Sequence, residues 1–132
     1  MISTVSNVQL RIAGAEHISQ IYELAQSYYL DNVMPEGANQ FGFLVSGFSM
    51  DKYRDFLRRA DHFYVVVQQN AVLAFLLAYS GDRIQADEWL NLRIKEKHLG
   101  PFVLVKQVCV RREMSGKGLA SRLYQNLIAR TA

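Results

Sequence analysis

Apolar residues fall in two rhythms along this chain. Val8-Gln9-Leu10-Arg11-Ile12-Ala13 alternates apolar and polar, the period of a half-buried strand. From Glu16 to Leu30, Ile18, Ile21, Tyr22, Leu24, Ala25, Tyr28 and Tyr29 return at helical spacing, and Asp31-Asn32 predicts the stop. Between Val33 and Gly47, Pro35, Gly37, Gly42 and Gly47 stand among large apolar residues, which predicts a long ordered loop. Ser49 is placed to cap a second helix whose apolar face is Tyr53, Phe56, Leu57 and Ala60. Phe63–Val67 and Val72–Tyr79 are strand-like, and Gln68-Gln69-Asn70 predicts the turn of a central antiparallel hairpin. Ala86–Lys97 reads as a short helix bearing Trp89, Leu90, Leu92 and Ile94. Phe102–Val110 reads as a further strand, and Lys117–Arg130 as a last helix with the stripe Leu119, Leu123, Tyr124, Leu127, Ile128. The pattern predicts an α+β (mixed α/β) domain, a mainly antiparallel central sheet flanked by helices.

Composition narrows the class. The chain has 132 residues, half of them hydrophobic and a fifth charged, which suits one soluble globular domain. A net charge of +3 with dispersed basic residues predicts no nucleic-acid partner. The longest apolar run, Ala71–Tyr79, is far short of the ~20 residues of a membrane helix, and Met1–Asn7 lacks the pattern of a signal peptide. One cysteine, Cys109, cannot pair within the chain, so a reducing cytoplasmic setting is predicted. His17, His62 and His98 are scattered without ligand spacing, and no metal is predicted.

The stretch Val108-Cys109-Val110-Arg111-Arg112-Glu113-Met114-Ser115-Gly116-Lys117-Gly118-Leu119-Ala120 carries the chemistry. A β-branched run ends in a charged turn, and two glycines open an amphipathic helix. Such a junction aims unpaired N–H groups and the positive end of a helix dipole at one point, suited to a phosphate or pyrophosphate. A nucleoside-triphosphate loop would need Gly where Arg111 stands and a hydroxyl residue where Gly118 stands. A dinucleotide fingerprint would need a third glycine at Ser121.

Gly116-Lys117-Gly118-Leu119-Ala120, set shortly after the end of a β-branched strand, resembles the acyl-CoA-binding motif of the GNAT superfamily of N-acetyltransferases. That signature runs Gln/Arg, two residues, Gly, one residue, Gly/Ala; here its places are Ser115, Gly118 and Ala120. The upstream order of strand, two helices, hairpin and strand is also similar to the family's. The resemblance implies a single, partial acyl-CoA N-acyltransferase domain over residues 1–132, holding the earlier part of the fold and truncated after the loop's helix. It implies acetyl-CoA as co-substrate, held by Val108, Cys109, Val110, Ser115, Gly116, Lys117, Gly118, Leu119, Ala120 and Ser121. Lys117, Arg111, Arg112 and Arg122 would face phosphates, or Arg111 and Arg112 would be solvated turn charges. The backbone of Val108, Cys109 and Val110 would pair with the pantetheine amides as a strand would.

The activity so implied is direct transfer of acetyl from acetyl-CoA to a primary amine, of a small molecule or peptide, without metal or covalent enzyme intermediate. A backbone N–H near Val108 would serve the oxyanion. The family's thiol-protonating tyrosine lies on a later helix outside this sequence, so catalytic side chains are unassigned and the isolated chain is expected to be impaired. A non-catalytic CoA-binding or protein-interaction module is the alternative. Glu88 is the candidate acid or base on the acceptor side. Trp89, Phe41, Phe43 and Phe48 would line an acceptor pocket or pack in the core. Tyr28, Tyr29 and Tyr79 read as packing residues with surface hydroxyls, and Cys109 as a buried strand thiol rather than a nucleophile. The unpaired flank of Phe102–Val110 and apolar surface on the last helix predict a homodimer.

Overall fold

The period-two runs form strands and the helical runs form helices in the computed structural model, which describes residues 8–33, 48–83, 93 and 102–131. In chain order these give β1 (Gln9–Ile12), α1 (Ile18–Val33), α2 (Met50–Arg59), β2 (His62–Gln68), β3 (Ala71–Ser80), β4 (Val103–Val110) and α3 (Leu119–Thr131). Short 3-10 turns stand at Ala15–His17, Gly81–Arg83 and Arg112–Met114. The strands make a four-stranded sheet in the order β1-β2-β3-β4, each neighbouring pair antiparallel. This is the α+β class that the hydrophobic pattern predicts.

Three boundaries differ from the predicted ones. α1 runs on through Asp31 and Asn32 to Val33, because both residues disfavour a helix by only a few tenths of a kcal/mol and neither breaks it as proline would. The hairpin turn is two residues, not three: Gln68 pairs with Ala71, and Gln69 takes φ +57°. Gln20 of α1 holds that turn, its Nε2 donating to Asn70 C=O and its Oε1 accepting from Val72 N–H, both at 2.8 Å. α3 begins at Leu119 rather than Lys117, because Gly116 and Gly118 both have positive φ, which a right-handed helix does not contain. The predicted cap of α2 is present, Ser49 Oγ accepting from Lys52 N–H at 3.1 Å. The predicted helix Ala86–Lys97 (apart from Arg93) and loop Val33–Gly47 (apart from Val33) lie outside the described residues.

Both faces of β2 and β3 are buried, so each reads as a continuous apolar run. Phe63, Val65, Phe75, Leu77 and Tyr79 point to one face, against Ile18, Ile21, Leu24, Ala25 and Tyr28 of α1 and Tyr53 and Phe56 of α2. Tyr64, Val66, Ala74, Leu76 and Ala78 point to the other, against Leu119, Leu123 and Leu127 of α3. The first face is aromatic: Phe56 stacks on Tyr79 at 5.8 Å between centroids, and Tyr53 meets Phe75 edge-on at 6.1 Å. Packing on two faces fixes β3, and β3 in turn carries β4 at the rim of the sheet.

Candidate functional site

β4 ends the sheet, so one of its two edges has no strand beside it among the described residues. Which main-chain groups face that edge follows from the ladder. Arg111 N–H donates to Leu73 C=O at 2.8 Å, and Gly81 N–H donates to Phe102 C=O at 3.0 Å. Main-chain groups of successive strand residues point to alternate sides. Cys109 therefore bonds inward to its register partner Phe75, while Val108 and Val110 turn N–H and C=O outward. Counting from Phe102, Val103 and Val105 also face outward. The register shifts between Leu77 and Ala78, and Lys106 is the extra residue of a β-bulge.

The strand leads into the predicted loop. Met114 N–H closes on Arg111 C=O and Ser115 N–H on Arg112 C=O, which turns the chain. Gly116 and Gly118 then take φ +81° and +83°, the left-handed region that only glycine adopts without strain. A Cβ added at either would meet nothing within 4 Å. The positive φ, not crowding by the protein, thus requires glycine at both places, and open space lies over the loop. Arg122 N–H donates to Gly118 C=O at 3.0 Å and closes the first turn of α3. The N–H groups of Leu119, Ala120 and Ser121 precede that bond and have no helical acceptor.

Beside the outward edge runs a groove of about 470 Å³, lined by Tyr28, Val105 to Val110, Ala120 and Tyr124. α1, β4 and α3 each supply part of its wall. Tyr28 donates its hydroxyl to the outward Val110 C=O, and Arg112 lies over the Tyr28 ring at 4.9 Å. Burial, aided by Cys109 and opposed by Arg112, raises the Tyr28 hydroxyl above its ordinary range. Burial pushes the Cys109 thiol up to about 12. It is protonated at neutral pH, the state of a packing residue and not of a nucleophile. A smaller hollow of about 240 Å³ lies between Glu23, Leu24 and Ser27 of α1 and Arg111, Arg112 and Glu113.

The structure brings the predicted residues to one junction but in different attitudes. Ser115, Gly116, Lys117, Gly118 and Ser121 are exposed, and Ala120 is half-buried in the groove wall. Leu119 is buried in the core, so only its main chain is turned to the loop. Val108 and Val110 offer main-chain groups to the groove; Cys109 offers its backbone to β3 instead. Arg111 is tied to β3, its Nε donating to Val72 C=O at 2.8 Å. Tyr28 was expected to keep its hydroxyl at the surface; it bonds Val110 because α1 lies directly over the end of β4. Phe48 packs against Tyr53 and Phe56, as core. Glu88, Trp89, Phe41, Phe43 and the Tyr29 side chain lie outside the described residues.

Five groove residues escaped the sequence as site residues: Tyr28, Val105, Lys106, Gln107 and Tyr124. Tyr124 reads as part of the apolar stripe of α3, yet it and Ile128 are exposed while Leu119, Leu123 and Leu127 are buried. Its place one helical turn beyond Ala120 was the available signal. The bulge that sets Lys106 and Gln107 had none. The arrangement offers main-chain donors along an open strand, a cluster of orphan N–H groups at its end, and an apolar wall between them. That suits an extended, amide-bearing ligand with a phosphate group at one end.

Known proteins share this arrangement of strands and helices. No curated protein matches the chain. The structure of a GNAT-family acetyltransferase from Streptococcus agalactiae 2603 superposes with a TM-score of 0.62 at 18% identity, over 92% of this chain and 69% of that one. The ribosomal-protein-S18-alanine N-acetyltransferase of Escherichia coli gives a TM-score of 0.56 at 11% identity, over 93% of this chain and 58% of that one. An aminoglycoside acetyltransferase from an uncultured soil metagenomic sample, in complex with sisomicin, gives 0.57 at 11% identity, over 96% of this chain and 71% of that one. The chain thus spans less than two thirds of the length of the Escherichia coli enzyme. At these identities the likeness is one of fold. The family model for the acetyltransferase (GNAT) family matches residues 18–132. With that match across most of its length, the chain belongs to the GNAT acetyltransferase family.

Proposed function

We propose that this chain is an N-acetyltransferase domain that takes acetyl from acetyl-CoA and passes it directly to a primary amine. The observation that carries the reading is the coincidence, at the end of an open-edged strand, of two positive-φ glycines under open space with the start of α3. In this reading the pyrophosphate lies against the N–H groups of residues 116–121, with Ser115 and Lys117 beside it. The pantetheine amides pair with the outward main chain of Val108 and Val110, over the Cys109 side chain. Bound acetyl-CoA supplies an activated acyl carbon. Direct transfer is favoured because the only cysteine is protonated and packed. Two of the neighbours are named for a ribosomal-protein alanine and for an aminoglycoside, and an amine of a small molecule or peptide is the acceptor proposed here. A cytoplasmic setting suits the unpaired, buried thiol.

We also assign to this reading a homodimer in which a second copy covers the outward edge of β4 at Val103 together with exposed Ile128 of α3, both outside the groove lining. Light scattering at micromolar concentration checks it; a monomer there contradicts it.

Titration calorimetry with acetyl-CoA, CoA and ATP, followed by acetyl release to a panel of amines, tests the assignment. The result expected is saturable binding of both CoA species, none of ATP, and amine-dependent release of free thiol. Binding without release supports the non-catalytic module, for which Ser115 in the family's Gln/Arg place already speaks. No binding of either CoA species overturns both.

A further inference from the structure

Two polar side chains are buried among the described residues, His62 and Gln107, and only Gln107 lines the groove. It sits beside the β-bulge at Lys106, at 4% exposure, on the sheet face covered by α2. Its Oε1 accepts from the hydroxyl of buried Tyr53 at 2.8 Å. Burial holds the Tyr53 hydroxyl far above its ordinary range, so it stays protonated and acts as the donor. With Oε1 on Tyr53, the NH2 group is turned the other way. Among the described residues nothing accepts from it, and it is not fully buried, so it keeps some surface open. A donor so placed is free to pair with water or with a ligand atom.

We propose that Gln107 Nε2 is a built donor for the acyl carbonyl oxygen of the ligand in this groove, with Tyr53 as the residue that positions it. The proposal rests on the acetyl-CoA reading above. The place is right for it: Gln107 is the residue before Val108, whose outward N–H opens on the same groove, so both residues line it at the middle of β4. A carbonyl oxygen held by both gains charge as the amine nitrogen bonds to the acyl carbon. The carbon–sulfur bond then breaks, its electron pair leaving on the CoA sulfur, and the amine's surplus proton passes to that thiolate or to solvent. Donors aimed where such charge grows contribute more there than to ground-state binding.

The test compares acetyl-CoA with S-ethyl-CoA, which has the same number of acyl-group carbons and no carbonyl. Calorimetry on the full chain is run for wild type, Gln107→Met, Tyr53→Phe and the double variant, which replaces both hydrogen-bonding partners by apolar groups and so leaves nothing buried unpaired. Wild type is expected to prefer acetyl-CoA by about twentyfold or more, the size of two neutral hydrogen bonds. Gln107→Met and the double variant lose about fivefold of that preference, the share of one bond, and keep the part due to Val108 N–H and wild-type affinity for S-ethyl-CoA; Tyr53→Phe, with the amide free to turn, loses less. An undiminished preference in Gln107→Met or the double variant overturns the proposal. So does loss of affinity for both ligands in parallel with a lower Tm, the mark of a purely structural pair. Failure of wild type to bind either ligand overturns the acetyl-CoA reading itself, and this inference with it.

Discussion

The two edges of the sheet are finished in opposite ways. β1 is short, Gln9–Ile12, mostly exposed, and carries Arg11, whose guanidinium bonds Gln9 Oε1 along the rim. Short length and charge are the usual means of keeping an edge from pairing. β4 is twice as long, Val103–Val110, and its lining is apolar apart from Lys106 and Gln107. Rather than being blunted, its outward main chain is left beside a groove of about 470 Å³. An edge so exposed is a liability unless something is meant to lie on it. The proposed site on β4 rests on that difference before any side-chain chemistry is considered.

Proline scanning of β4 breaks the contrast between inward and outward groups most sharply. Cys109→Pro removes a ladder bond to β3 and is expected to destabilise by about 3 kcal/mol or more in urea melts. Val108→Pro removes an outward N–H and leaves the ladder, so the fold persists with a loss of about 1–2 kcal/mol from packing while CoA affinity collapses. Equal destabilisation by the two would mean that the assignment of sides is wrong.

Next in size, Gly118→Val forces a β-branched residue to φ +83° and fills the open space over the loop. Its expected effect is a ~100-fold weaker Kd for CoA, about 2.7 kcal/mol, with far-UV circular dichroism unchanged. An unaltered Kd would remove the loop from the site.

Cys109 gives a pH test of the groove wall. Its folded pKa is raised to about 12, so its contribution to stability is full below the ordinary thiol range and fades as pH rises toward 12. Urea melts at pH 8 and pH 11 should show the protein weaker at the higher pH, the difference shrinking in Cys109→Ala. Native protein should also resist thiol-modifying reagents at pH 8 and react once unfolded. At the other edge, Arg11→Ala is expected to change stability by less than about 0.5 kcal/mol and leave CoA binding alone.

Much of this was legible in the sequence, unevenly. The hairpin β2–β3 was clear because its apolar runs are buried on both faces and flanked by turn residues. The loop was clear because positive φ restricts two places to glycine, and a restriction to one residue type is visible in a single chain. The groove's floor was not. Gln107 reads as one polar residue in a strand of valines, and only the bulge and the height of Tyr53 on α2 show that it is buried and held. From charge alone Arg111 and Arg112 read equally as phosphate ligands or solvated turn charges; Arg111 bonds the Val72 carbonyl and Arg112 lies over Tyr28, both consequences of how β3 and α1 pass beside the turn. Tyr124 and Ile128 carry the uncovered apolar surface expected on the last helix, but a helical stripe gives the apolar face and not where the partner surface ends.

The most direct measurement is a titration of the isotope-labelled protein with CoA, following backbone amide resonances by NMR. The account predicts saturable shifts at Val108, Val110 and residues 116–121, with Gln9–Ile12 of β1 unmoved. Shifts that saturate along β1, or amides of residues 116–121 that stay in place while CoA binds, would contradict it.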